Sequence, residues 1–360
     1  MSKIHTNIEK YLVSSMNSKS LFIKLYIAIS LKLAGVINSL ISYPGGKYKM
    51  RKELNEVYEH LNKNTKYDIL IDAFAGMGGS IKALEPSLIK SGVKKIIMND
   101  INTCIITLHE NLRNHKDSMI KDFHEIIKTR IIKKYKKLFL SVEEFGNVKS
   151  ELKDEFYELQ DKKEFGVKTS VRLILLSAFN FSGVVDIKNN GDIKFSSAIY
   201  DSKDIKDFLF NTISRIETFS KLYNQFEMEF YNEDYFNLFN KFKNQSQTLW
   251  NIDTVYVKED YSEYIESDME KLNNSDISEC ACAYGQKNFP HIEVLKTLEN
   301  INFIYNNNTH SIVIYHRNKF NLYSKYFTRN EAINAKDGTE VKKVTELILD
   351  KNNFSNKIEV

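Results

Sequence analysis

The chain has 360 residues, room for one large domain or two modest ones. With 42% hydrophobic and 27% charged residues it has ample material for a core, which excludes a disordered or fibrous chain. The net charge of +4 permits contact with nucleic acid without demanding it, and three cysteines in a chain this long fit a reducing compartment rather than a disulfide scaffold. Cys280 and Cys282 stand one residue apart, the wrong spacing for a zinc pair, so no metal is expected.

Residues 1–40 read as an N-terminal helical extension. Within them and just beyond, Leu21–Ile41 is strongly apolar but interrupted by Lys24 and Lys32. A spanning helix wants about 20 residues with few or no charges, so no membrane contact is expected. The stretch is read as a helix packed on the domain, with docking on a protein partner or on a second copy through residues 21–41 as the alternative.

A glycine-rich loop with a cation follows, Tyr43-Pro44-Gly45-Gly46-Lys47, and then a helix from Met50 to Asn64 with Leu54, Val57, Tyr58 and Leu61 at helical spacing. Next comes the stretch around which the chain is organised. Tyr67-Asp68-Ile69-Leu70 reads as a buried parallel strand. It runs into Ile71-Asp72-Ala73-Phe74-Ala75-Gly76-Met77-Gly78-Gly79-Ser80 and then a helix. Glycines let a ligand lie against the backbone, and the helix N-terminus offers free N–H groups. A tight turn with no ligand would use the same residues. The next strand, Val93–Met98, ends in Asn99-Asp100-Ile101-Asn102, where an acid is placed to accept hydrogen bonds from a ribose diol.

Ile101–Arg113 reads as a helix, and Arg113–Lys137 holds nine Lys or Arg against three acids around an apolar stripe of Ile126, Ile127, Ile131, Ile132 and Tyr135. Its cations form either a solvated face or a phosphate-contacting surface. Residues 140–225 read as an inserted, mainly helical domain, with helices at Glu151–Gln160, Ser170–Phe181 and Asp201–Asn224. It carries a hairpin in which Gly183–Lys188 and Asp192–Ser196 flank Asn189-Asn190-Gly191. Phe226–Tyr231 alternates like a strand and ends in Asn232-Glu233-Asp234-Tyr235. Lys241–Asn251 reads as a polar connection, Asp253–Val257 as a further buried strand, and Glu331–Val360 as a C-terminal helix with a frayed end.

The set Tyr43–Lys47, Asp72–Gly78 and Asn99–Asn102 resembles the DNA adenine methyltransferases of the Dam type. These carry aromatic-x-Gly-Gly-Lys, Asp-x-Phe-x-Gly-x-Gly and Asn-Asp-x-Asn in the same order. The likeness covers roughly residues 40 to 325, weakly in its later part. It implies an α/β fold, a Rossmann-like S-adenosylmethionine-dependent methyltransferase sheet formed by residues 41–139 and 226–330. Residues 140–225 would be the inserted, mainly helical recognition domain, and 331–360 a tail. It implies S-adenosylmethionine as cofactor, held by Tyr43, Gly45, Lys47, Asp72, Phe74, Gly76, Gly78, Asp100, Ile101, Asp234 and Tyr235. It implies double-stranded DNA as partner, met by Asn180, Lys188 and Lys194, and a cytoplasmic protein of bacterial or phage origin.

One departure touches the chemistry. The family places Asp-Pro-Pro-Tyr at the end of its fourth strand, whereas here Lys258-Glu259-Asp260-Tyr261 follows Val257, and no two of the three prolines are adjacent. A lysine offers only donors where acceptors for the adenine amine are needed. The hairpin also carries Asp186 about where the family has an arginine. The expectation is therefore a homologue that binds cofactor with methyl transfer lost or severely reduced. The alternatives are an active enzyme using Glu259 or Asp260, and a non-catalytic protein-binding scaffold.

Overall fold

The computed structural model describes residues 40, 47–137, 140–178, 186–187, 192–195, 202–254, 291–308, 325–335 and 338–350. Lys47–Met50 forms a short 3-10 turn that leads into α1 (Arg51–Asn64). The apolar strand β1 (Ile69–Asp72) follows, then α2 (Gly79–Ser91) and β2 (Lys95–Asn99). Because β1 and β2 are nearly continuous apolar runs, they are buried on both faces, as strands of a covered parallel sheet must be. Gly92, at φ +80, ends α2 with its N–H and that of Val93 bonded back to Ile89 and Leu88 carbonyls, which turns the chain into β2.

Helices α3 (Thr103–Asn114) and α4 (Lys116–Ile126) come next, and α4 runs on through a π-helical stretch at Ile127–Ile132. A helical unit follows: α5 (Val142–Asp161), opened by a Ser141/Glu144 capping box, and α6 (Val167–Ala178). A two-stranded ribbon pairs β3 (Asp186–Ile187) with β4 (Ile193–Lys194), Asp186 lying opposite Lys194. The long α7 (Ser202–Tyr223) returns the chain to the sheet at β5 (Glu227–Tyr231), followed by α8 (Tyr235–Phe242), β6 (Thr248–Asp253), α9 (His291–Thr297), β7 (Asn302–Asn308) and the hairpin of β8 (Lys325–Ala335) and β9 (Gly338–Asp350).

The main sheet has the order β5-β2-β1-β6-β7-β9-β8. Its first five strands are parallel, and β9 and β8 close it in antiparallel fashion. The strand order reverses at β1, with β2 on one side and β6 on the other, so a crevice opens at their carboxyl ends, the place where such sheets bind ligands. One apolar cluster unites α1, α2 and α3 with α5, α6 and α7 on one face of the sheet, including Leu54, Leu84, Leu108, Phe156, Leu173 and Phe219. A second, on the opposite face, holds Trp250, Phe303 and Tyr305 with Leu238 of α8 and Val294 of α9.

Three expectations need correction. Within Glu331–Val360 the described residues are strand, not helix: Glu331–Ala335 belongs to β8 and Gly338–Asp350 is β9. The reason is visible in the residues, since Thr339, Val341, Val344, Thr345 and Ile348 are β-branched. Thr248–Asn251 is not a connection but the buried heart of β6, because Leu249 and Trp250 supply one residue to each apolar cluster. The strand expected at Asp253–Val257 therefore ends at Asp253, and Val255–Val257 lies outside the described residues.

The basic stretch between Arg113 and Lys137 spends much of its charge on neighbouring helices. Arg130 pairs with Glu151 and Glu155, Lys134 with Glu151, Lys137 with Glu144 and Lys116 with Glu217. On α6, Arg172 bridges Asp122 at 2.9 Å and Glu155 at 2.8 Å with a nearly buried side chain. The N-terminal extension, apart from Leu40, lies outside the described residues. No helix among the described residues is long and apolar enough to cross a membrane.

Candidate functional site: the crevice at the carboxyl ends of β1, β2 and β6

The turn after β1 is shaped by two glycines. Gly76 and Gly78 adopt φ +47 and +71, in the left-handed region that a side chain disfavours. Asp100, just past β2, fixes the turn in place: its Oδ2 accepts from the Gly76 N–H at 3.0 Å and its Oδ1 from the Asn102 N–H at 2.8 Å. Around Gly76, a Cβ would meet nothing within 4 Å, so the turn faces open space there. At Gly78 the reverse holds, since a Cβ would stand 2.7 Å from the Tyr223 hydroxyl and 3.1 Å from His109 Cε1.

Those two residues form the back wall. The Gly76 carbonyl can only accept, so the His109 Nε2, 2.8 Å away, carries the proton; Nδ1 then accepts from the Tyr223 hydroxyl at 2.8 Å. Burial pushes the His109 imidazole down to about 4 and keeps it neutral. A second brace comes from amides. The Asn99 side chain donates to the Ala73 and Glu233 carbonyls and accepts from the Glu233 N–H, tying the ends of β1, β2 and β5 together. Asn232 in turn donates to the Asp100 and Ile101 carbonyls.

Carboxylates dominate the crevice. Asp72, at the end of β1 and wholly buried, accepts from the Asn251 amide through Oδ1 at 2.8 Å, while its Oδ2 is buried without a hydrogen-bond partner. Burial, reinforced by the charges of Asp253 and Asp100, raises Asp72 to about 7 against the pull of the Asn251 bond. Burial likewise raises Asp100 to about 6, opposed by its two backbone N–H bonds. The ammonium of Lys47 lies 3.0 Å from Asp253 Oδ1.

The structure thus gathers Lys47, Asp72, Phe74, Gly76, Gly78, Asp100, Ile101, Asp234 and Tyr235 at one end of the sheet. Phe74 and Tyr235 stack at 5.3 Å between ring centres and 16° between planes. Ile101 is 64% exposed at the rim, unusual for so large an apolar side chain. Asp234 Oδ1 caps α8 on the Phe236 N–H at 2.8 Å. Lys194 is exposed on the β3–β4 ribbon, on a different part of the chain. Tyr43, Gly45, Asn180, Lys188 and Lys258-Glu259-Asp260-Tyr261 lie outside the described residues.

Sequence reasoning passed over His109, Tyr223, Asn251 and the Lys47–Asp253 pair. A signal existed for His109, a polar residue on the apolar Ile105–Leu108–Leu112 face of α3. None existed for Asn251, whose neighbours made it look like part of a polar loop.

A search of curated proteins finds no match to the chain. A family model does match, over residues 43–263, which takes in the glycine turn, Asp100, the helical unit and β6, and is described as D12 class N6 adenine-specific DNA methyltransferase. The strand order, the braced glycine turn and this match agree: the chain belongs to the D12 class N6 adenine-specific DNA methyltransferase family.

Proposed function

We propose that the protein binds S-adenosylmethionine in the β1–β2–β6 crevice and transfers its methyl group to the exocyclic amine of adenine in DNA. The observation that carries this reading is the Gly76 turn, held open by Asp100 with free space where a Cβ would be. The cofactor, when bound, supplies a methyl group made electrophilic by its sulfonium. Everything else falls to the chain. The unpartnered Oδ2 of Asp72 suits an ammonium group, and burying that oxygen without a partner otherwise costs about 1–3 kcal/mol. Asp100 has used one lone pair of each oxygen on backbone N–H groups and keeps others for ribose hydroxyls. Ile101, and Phe74 stacked on the buried Tyr235, offer apolar surface to an adenine ring. Three carboxylates in the crevice suit a cationic ligand, which offsets their mutual repulsion.

DNA would approach across the helical unit and the β3–β4 ribbon, with Lys194, Lys188 and Asn180 as contacts. Asp186, opposite Lys194 in the ribbon, tempers the charge there. A second reading is favoured by Lys258-Glu259-Asp260-Tyr261: a member that binds cofactor while transfer is lost or severely reduced, or one that uses Glu259 or Asp260. Calorimetric titration with S-adenosylmethionine, run beside tritiated-methyl transfer to DNA from an unmethylated host, separates the two. Binding with incorporation into N6-methyldeoxyadenosine supports the first reading, and binding without incorporation the second. The absence of binding at millimolar cofactor defeats both.

A further inference from the structure

We propose that His109 positions the glycine turn for cofactor binding, and that Tyr223, reaching in from the helical unit, sets the imidazole tautomer in which it can do so. This rests on the cofactor reading above and deepens it, adding two positioning residues that lie outside the sequence motifs.

The need for such a residue follows from the turn itself. Glycine rotates about its backbone bonds more freely than any other residue, so a turn built on Gly76 keeps one shape only if the peptide planes on either side of it are tied. The plane before Gly76 is tied by Asp100, which accepts from the Gly76 N–H at 3.0 Å. The plane after it carries the Gly76 carbonyl, and His109 Nε2 stands 2.8 Å from that oxygen. Elsewhere the turn is closed by backbone: the Gly78 N–H donates to the Ala75 carbonyl at 2.9 Å, and the Ala75 N–H to the Asn99 carbonyl at 2.8 Å. The second plane is thus left to His109. A trans peptide is planar, with its C=O and N–H pointing in opposite directions, and no peptide here is cis among the described residues. Drawing the Gly76 carbonyl to His109 therefore turns the Met77 N–H away from the back wall. No acceptor among the described residues takes that N–H, which leaves it for an acceptor on the ligand.

Tyr223 decides whether His109 can hold its end. A neutral imidazole has one N–H, and the partner of one nitrogen fixes which nitrogen carries it. The Tyr223 hydroxyl donates to Nδ1 at 2.8 Å, so the proton sits on Nε2 and faces the carbonyl. In the other tautomer a bare lone pair would face the carbonyl oxygen, and repulsion would release the plane. Both side chains are fully buried, so water replaces neither partner. Phe219 and Phe230 pack edge-on against Tyr223 and aim its hydroxyl. Burial and the nearby charge of Asp72 keep the phenol protonated and able to donate. Gly78 completes the arrangement, since only a residue without a side chain lets the hydroxyl come so close.

The test uses the full chain. With isotope-labelled histidine, nitrogen NMR of the unaltered protein at neutral pH should show His109 with its proton on Nε2, and Y223F should shift it toward the Nδ1 form. Calorimetry with S-adenosylmethionine then compares two replacements of His109. H109F keeps a ring of similar shape but no donor, and should lose roughly tenfold in affinity, the worth of one hydrogen bond. H109Q keeps an amide donor at about the reach of Nε2 and should stay within about threefold. Space-filling alone would rank the two the other way, because a phenyl ring suits a buried aromatic site better than an amide. Y223F should fall between them. An H109F protein that binds as tightly as H109Q, an H109Q protein that falls as far as H109F, or an Nδ1-protonated or doubly protonated His109 in the unaltered protein each overturns the assignment. The last measurement needs no variant and decides the matter even if H109F does not fold. An unaltered protein that carries the Nε2 proton yet binds no cofactor at millimolar concentration would instead bring down the underlying reading of function.

Discussion

Replacing Gly78 by alanine should cost roughly 2–5 kcal/mol of folding stability, the sum of two effects. At φ +71 an L-residue is strained, and a left-handed conformation costs about 1–2 kcal/mol. The new Cβ would also stand 2.7 Å from the Tyr223 hydroxyl, closer than van der Waals contact allows, so the phenol must leave His109. Both side chains are buried, and a buried polar group stripped of its partner costs about 1–3 kcal/mol. G76A is the internal comparison: it carries the same backbone strain with nothing in the way of the methyl group, so only about 1–2 kcal/mol is at stake. Urea unfolding followed through Trp250, the sole tryptophan and buried on β6, reads both. The two variants should then differ in opposite senses: G78A loses more stability, whereas G76A loses at least tenfold in cofactor affinity because its methyl enters the open cradle. Equal unfolding midpoints would refute the claim that Tyr223 and His109 close against Gly78.

Asp72, raised to about 7, holds a proton in the folded protein that the unfolded chain loses near pH 4, so its contribution makes stability fall as pH rises between those values. D72N should remove that slope and be more stable at pH 8, by as much as about 4 kcal/mol at 1.36 kcal/mol per pH unit, while binding cofactor more weakly; an unchanged slope in denaturant melts would count against the burial argument. His109, lowered to about 4, works the other way: its contribution is whole above pH 6.5 and is lost as pH falls toward 4. D100A should weaken cofactor binding by about 1.5–3 kcal/mol through loss of ribose acceptors and a loosened Gly76 turn, and calorimetry that finds less than a threefold change would exclude that role. R172A should destabilise the helical unit by about 3 kcal/mol, since it removes the Arg172 partner of Asp122 and leaves Glu155 with Arg130 alone; a loss below about 1 kcal/mol would show the network to be solvent-screened.

The parts of the site that were legible in the sequence are those where backbone geometry limits the choice of residue. The glycine-rich strand–helix turn could be read from residue type and spacing, and Gly76 and Gly78 take positive φ there; Asp100 was read as an acceptor for a ribose, whereas its bonds to the Gly76 and Asn102 N–H groups were not foreseen. The hidden parts are polar residues in apolar surroundings. Asn251 sits in a buried strand only because Asp72 across the ladder satisfies its amide, and that pairing joins residues far apart in the chain. Without it, Thr248–Asn251 looked like loop, and the strand was shifted to Asp253–Val257. The β8–β9 hairpin was hidden differently. Its charged residues fall at close intervals among the β-branched ones, a pattern that serves an exposed helix face equally well until a partner strand, β7, fixes the period.

The reach of α7 has a practical consequence. Its last residue, Tyr223, belongs by sequence to the inserted helical unit, yet it closes the back of the glycine turn through His109. The unit is therefore not detachable from the sheet. Grafting a relative's helices between residues 140 and 225 would bring a foreign residue to the position of Tyr223 and leave His109 and Gly78 facing the wrong shape. A chimera that preserves Gly78, His109 and Tyr223 as one inherited set, and cuts α7 at least one turn upstream, should fold where a cut at its end does not.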